Sequence, residues 1–235
     1  LWCHRGLATF RDAVSYTHLK PPPEREGGRG GGGGRRKRPP RRRAGVGDTG
    51  LDDDLRGWLD AGDPPVYVGF GSMMPRDPDR LATAFREAAA QHRVRLLVSG
   101  GWSGFMSSAD VTATDDIRVV GHIDHRSILP LCRAAVHHGG AGSLAAGLRA
   151  GLPTLVTWFG ADQPIWGRAI TTSGLGATLP VARVTTENLL AAFGTLLSPE
   201  VAERAADVAR SMIDPTEAVT AAADIVTHVV TGSRK

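Results

Sequence analysis

The sequence predicts an α/β fold, a Rossmann-like parallel sheet with helices on both faces, and three observations lead there. Short apolar runs bounded by turn residues recur along residues 51–180 and alternate with stretches of helical spacing, the pattern of βαβ units. The first of them, Val66-Tyr-Val-Gly-Phe70, reads as a buried strand. Nearly every run also ends in glycine or a polar side chain: Gly71-Ser72, Ser99-Gly100, Gly121-His122, His138-Gly139 and Asp162. In parallel sheets ligands lie outside the carboxyl ends of the strands, so polar residues gathered there predict a site.

The chain has 235 residues and a formal net charge of +4. The charge is unevenly placed. Residues 1–50 hold 12 Lys/Arg against 4 Asp/Glu, whereas residues 51–235 hold 16 against 20. Pro21 to Pro23, a glycine run from Gly27 to Gly34 broken by Arg29, and the basic Arg35 to Arg43 stretch cannot bury enough apolar surface to order themselves. The expectation is a disordered lead-in over 1–50, non-native or frame-shifted, before a folded domain over 51–235. A charge argument for nucleic acid applies to that arm alone, and none is expected for 51–235. Cys3 and Cys132 form no motif, which favours a reducing compartment. No apolar run is long enough to cross a membrane, and Arg5, Arg11 and Asp12 interrupt any signal-like start, so the expected location is the cytoplasm.

Taken in order, Leu51, Leu55, Trp58 and Leu59 have the spacing of a short amphipathic helix, which Pro64-Pro65 stops. Val66–Phe70 reads as a strand, Leu81–Gln91 as a helix begun near Asp77 or Asp79, and Val94–Val98 as a second strand. Ile117–Val120 is a third strand, followed by a short helix around Ile128–Cys132. Ala134–His137 is a fourth strand and opens into a glycine loop and an Ala/Leu-rich helix. Thr154–Thr157 is a fifth, followed by a loop through Asp162-Gln163 and a helix over Trp166–Thr172. Ala177–Leu179 is a sixth, and Thr186–Leu197, Pro199–Met212 and Thr216–Val230 are helical.

The stretch His138-Gly139-Gly140-Ala141-Gly142-Ser143 is the strongest candidate for chemistry. A strand, a tight glycine loop and a helix N-terminus direct unpaired N–H groups and the positive end of the dipole at one spot. Glycines admit a close phosphate, and Ser143 offers a cap and a hydroxyl. Consecutive strand residues face opposite sides, so His138 is assigned to the ligand, as a donor or a cation, and His137 to the structure. Asp162 and Gln163, one strand further, offer acceptors and donors suited to sugar hydroxyls. The Gly69-Phe70-Gly71-Ser72 exit permits close backbone approach but is no dinucleotide fingerprint. His122, His125, His137 and His138 could be drawn as a metal cluster. No cysteine pair or HExxH helix supports it, and no metal or other cofactor is expected.

The runs Val66-Tyr-Val-Gly-Phe-Gly-Ser-Met73, His137-His-Gly-Gly-Ala-Gly-Ser143, Gly147-Leu-Arg-Ala-Gly-Leu-Pro153 and Asp162-Gln-Pro-Ile-Trp-Gly-Arg168 resemble the C-terminal half of family 1 UDP-sugar glycosyltransferases. The similarity lies with the branch of sterol glucosyltransferase-like and antibiotic glycosyltransferase-like enzymes, and it spans about residues 51–230. It implies the nucleotide-sugar lobe of a two-lobed GT-B transferase and a metal-independent, inverting transfer of a sugar, glucose by expectation, from UDP to an acceptor hydroxyl. It also implies that Ser72, His138 and Gly139 to Ser143 bind the diphosphate, that Asp162 and Gln163 hold the sugar, and that Gly121 to His125 (with His122, Ile123 and His125) lie near the nucleobase. Ile123 to Arg126 stand where relatives often carry proline and an aromatic. The general base and the acceptor site belong to the family's other lobe, which residues 1–50 do not resemble. The expectation is therefore a truncated chain, inactive alone, whose final helices match the tail that braces that lobe. The rivals are a nucleotide-sugar epimerase or hydrolase of the same fold and a polyanion-binding module acting through the arginine-rich arm.

Overall fold

The computed structural model describes residues 51–100, 105–106 and 115–232, so the expectation for the lead-in falls outside the described residues. Six strands form one parallel sheet in the order β3-β2-β1-β4-β5-β6. They are β1 (Val66–Gly69), β2 (Leu96–Ser99), β3 (Ile117–Val120), β4 (Ala134–His137), β5 (Thr154–Trp158) and β6 (Gly176–Pro180). The order grows outward from β1, then jumps back across it to β4. That reversal leaves a crevice at the β1/β4 boundary, the usual ligand position in open α/β sheets.

The helices fall on both faces, as predicted. α1 (Asp53–Asp60) is capped by Asp52, whose carboxylate accepts from the Leu55 N–H at 2.7 Å. α2 (Pro78–His92) is capped by Asp77 and starts with proline, which holds the helical φ without needing an N–H partner. α3 (His125–Ile128) is one turn capped by Asp124 and runs into a 3-10 turn, Leu129–Leu131. The sequence places this helix later, around 128–132; Pro130 tightens that part into the 3-10 turn instead. α4 (Ala141–Arg149) and α5 (Gln163–Thr172) follow β4 and β5. α6 (Thr186–Leu196) opens with a reciprocal capping box between Thr185 and Asn188. α7 (Pro199–Ser211) and α8 (Pro215–Gly232) complete the chain.

The pleat sends alternate residues of each strand to opposite faces. Val66, Val68, Leu96, Val98, Ala134 and Val136 join α2 and α6 in the main core, while Tyr67, Leu97 and Ala135 pack with Leu55, Ile128 and Leu152 on the other side. Phe85 sits at the middle of the main core with no exposed surface, 6.2 Å from the rings of both Phe70 and Phe193. Burying such a side chain stabilises the fold by about 1.5–3 kcal/mol. Polar bonds tie the same helices together: the Arg80 guanidinium donates to the Val184 carbonyl at 3.1 Å, the His92 imidazole meets the Leu190 carbonyl at 3.0 Å, and Thr186 donates to Glu87 at 2.6 Å. A third cluster, with Leu144, Leu148, Val156, Ile170 and Ala205, fastens α4, α5 and α7 over β5.

Candidate functional site

Strand register brings part of the predicted set together. In the parallel pairing Gly69 lies level with His137 on one side and with Ser99 on the other, and Ser99 lies level with Val120. Four strands therefore end in line, and their loops leave the sheet side by side. Between them lies a cleft of about 420 Å3. Ser72, His122, Ile123, His125 and Ser143 line it, together with Tyr67. His138, Asp162 and Gln163 are not among its lining residues.

The glycine loop has a specific local cause. Gly139 adopts φ +90°, where a side chain is strained, and a Cβ there would stand 2.7 Å from Val156. Its N–H donates to Nδ1 of His137 at 3.0 Å. His137 is buried, and burial, with the nearby His138 and His125, pushes its imidazole down to about 3. A neutral ring accepts at Nδ1, so His137 shapes the turn, the structural part given to it. Gly140 then stands at the N-cap of α4 with φ −63° and ψ 139°, and no side chain caps the helix. The capping part predicted for Ser143 is thus corrected: it lies inside the first turn, and the residue lines the cleft. The first bond of the helix runs from the Leu144 N–H to the Gly140 carbonyl. The amides of Ala141, Gly142 and Ser143 precede it and point out of the N-terminus. Ala141 and Gly142 are exposed, and a Cβ on Gly142 would meet nothing within 4 Å.

His138 is half-buried between two glycines. A Cβ on Gly140 would stand 2.5 Å from its Nε2, and one on Gly71 would stand 3.7 Å from its Cε1. The imidazole thus bridges the loops that leave β1 and β4. Its Nδ1 is buried without a partner among the described residues. Burial lowers its pKa, as does the nearby His125, while Asp162 acts in the opposite sense. The ring is therefore neutral near pH 7 in the free protein. The cationic option is set aside there, leaving a hydrogen-bond donor.

Asp162 is the N-cap residue of α5 and Gln163 its first residue, so the predicted loop ends at the pair and the helix begins three residues earlier than Trp166. Pro164 at the second helical position explains the early start. The two side chains do different things. Asp162 is exposed and accepts from the Trp166 indole N–H at 2.9 Å. Gln163 is buried, and its carboxamide oxygen accepts from the N–H groups of Phe159 (2.8 Å) and Gly160 (3.3 Å), holding the turn around Ala161.

Sequence reasoning missed Tyr67. It belongs to an apolar strand, and its partner His125 is 58 residues away, so no local pattern marks it. Among the described residues no group of three or more His, Cys, Asp or Glu side chains could hold a metal ion. None of the described helices is long and apolar enough to cross a membrane.

A six-stranded parallel sheet with helices on both faces and a cleft at its carboxyl edge is the architecture of a GT-B glycosyltransferase lobe. Residues 107–229 match the family described as the erythromycin biosynthesis protein CIII-like, C-terminal domain. The chain belongs to this glycosyltransferase family. It is 40% identical over 179 residues to an uncharacterized glycosyltransferase of Mycobacterium tuberculosis, covering 76% of this chain and 42% of the relative. It is 38% identical over 168 residues to the sterol 3-beta-glucosyltransferase UGT80B1 of Arabidopsis thaliana, covering 71% of this chain and 27% of that enzyme. The glycosyltransferase SnogD from Streptomyces nogalater has the same fold, with TM-score 0.55 and 27% identity over 75% of this chain and 45% of its own. The glycosyltransferase VinC, solved in complex with dTDP, shares the fold at TM-score 0.53 and 22% identity, over 68% of this chain and 40% of its own. The chain spans about two fifths of the length of its mycobacterial relative.

Proposed function

We propose that this chain is the donor-binding domain of a sugar transferase and that it holds a UDP-sugar, UDP-glucose by preference, at the carboxyl edge of its sheet. The diphosphate lies against the amides of Ala141 to Ser143, with Gly139 and Gly140 giving it room and Ser72 and Ser143 supplying hydroxyls. His138 donates a hydrogen bond to it. Asp162 holds the sugar hydroxyls, and Gln163 fixes the turn that presents Asp162 and offers what remains of its carboxamide. His122, Ile123 and His125 flank the base. The observation that carries the reading is the level register of Gly69 with His137, which sets Ser72 and the open end of α4 on one cleft. That VinC was solved with dTDP supports a nucleoside diphosphate as the ligand class.

In the transfer, an acceptor oxygen bonds to the anomeric carbon as the bond from that carbon to the diphosphate oxygen breaks. The acceptor proton goes to a base supplied from outside this domain. The helix N-terminus and His138 take up charge on the leaving diphosphate, which is where this domain lowers the barrier. The reading calls for no metal ion. Calorimetry tests it: His138→Ala weakens UDP binding by about tenfold, the loss of one hydrogen bond to a charged group. Unchanged affinity in that variant refutes the role.

A further inference from the structure

We propose that Tyr67 is a positioning residue for the nucleotide, its hydroxyl fixing the 121–125 loop in the place where that loop meets the base. This deepens the donor-site reading and rests on it. Tyr67 stands mid-strand in β1, level with Leu97 and Ala135. Its ring runs along its own strand towards the carboxyl edge. The phenol oxygen lies only 2.5 Å from where a Cβ on Gly69 would be, so glycine at 69 clears its path. From there the hydroxyl meets Nε2 of His125 at 2.9 Å, with the rings edge-on at 5.4 Å.

The loop is tied at both ends. At its start the Ser99 hydroxyl donates to the Gly121 carbonyl at 3.2 Å, and the Gly100 N–H donates to the Val120 carbonyl at 2.9 Å. At its end stands the Tyr67–His125 bond. His122 and Asp124, between the ties, are exposed, and both line the cleft with Ile123. Burial pushes the Tyr67 phenol up to about 12 and lowers the His125 imidazole, so both partners stay neutral at physiological pH and the tie persists there. The same hydroxyl interacts with the Ser99 side chain at the end of β2, so it links the sheet edge to the loop that walls the cleft.

The test uses the full chain and two probes, UDP and inorganic diphosphate, which lacks the nucleoside. In calorimetry Tyr67→Phe, which keeps the ring, weakens UDP about fivefold, as expected for one neutral hydrogen bond, and leaves diphosphate within about twofold of wild type. His125→Leu behaves likewise, and His125→Gln retains more UDP affinity than His125→Leu. The double variant Tyr67→Phe/His125→Leu is no weaker than the weaker single, because both act through one bond. In the free protein Tyr67→Phe speeds hydrogen exchange at the Ser127 and Ile128 amides, which bond to the Asp124 carbonyl, but not at Val98. Equal loss of UDP and diphosphate, additive single effects, or wild-type UDP affinity in Tyr67→Phe overturns the proposal. Wild-type chain that binds neither probe overturns the donor-site reading itself. Wild-type chain that binds UDP while Tyr67→Phe binds it equally well overturns only the part given to Tyr67.

Discussion

Acid should unfold this domain through His137. The imidazole sits fully buried at the end of β4, and its pKa falls from an ordinary 6.5 to about 3. In the unfolded chain the ring takes a proton near pH 6.5, whereas in the folded chain it refuses one until near pH 3. Between those values the unfolded state binds more protons, so stability falls as pH falls through the window. Each unit below 6.5 costs about 1.4 kcal/mol, or about 2 kcal/mol by pH 5. His138 and His125 are lowered in the same direction, so wild type alone would not isolate the cause. His137→Asn does. Its side-chain oxygen can accept the Gly139 N–H, and it does not titrate. Urea unfolding at pH 7.5 and pH 5 should show the variant losing about 2 kcal/mol less than wild type between the two. Equal losses in both proteins would refute the assignment.

Two further perturbations test the packing. Gly167 faces β6 closely, and a Cβ there would stand 3.0 Å from Cβ of Thr178 and closer still to its hydroxyl. Gly167→Ala should cost about 1–3 kcal/mol by overpacking, and adding Thr178→Ala should recover most of it in urea unfolding; no recovery would place the strain elsewhere. Cys132 is buried, donates to the Ile128 carbonyl at 3.4 Å, and has its thiol pushed up to about 12. Iodoacetamide at pH 8 should leave it unmodified in the native chain and label it in urea, as site-resolved mass spectrometry would report. Labelling of the native chain at Cys132 would contradict its burial.

The elements were legible wherever one local rule decided them. Ala134–His137 and Ile117–Val120 match their predicted spans because apolar runs met clear turn residues at both ends. Legibility failed where the first helical turn outranked periodicity. Asp124 caps a helix at His125, and Pro164 sets the first turn of one at Gln163, yet the apolar residues that suggested those helices come several positions later. The capping part of Ser143 failed for a different reason: Gly139 turns the chain so sharply that the helix begins at Ala141, leaving Ser143 inside it. Each motif residue could be placed after a strand from sequence, and of them Ser72, His122, Ile123, His125 and Ser143 share the cleft. Strand order, the differing tasks of Asp162 and Gln163, and the Tyr67–His125 bond could not. Each depends on a pairing between distant segments that no short window contains.

The early helix α2 and the late helix α6 share one core and two polar bonds, and a third bond ties α2 to Val184 just before α6, all across about a hundred positions of chain. During synthesis β1, α2 and β2 emerge long before Phe193, the residue that closes over Phe85. Until then that side of the nascent sheet is covered by α2 alone, and part of its apolar surface is open to chaperones and to other chains. The contacts that complete it are non-local, which makes folding slow. A shortened chain ending before Thr186 would therefore bear every glycine-loop residue of the site and still fail to accumulate in soluble form.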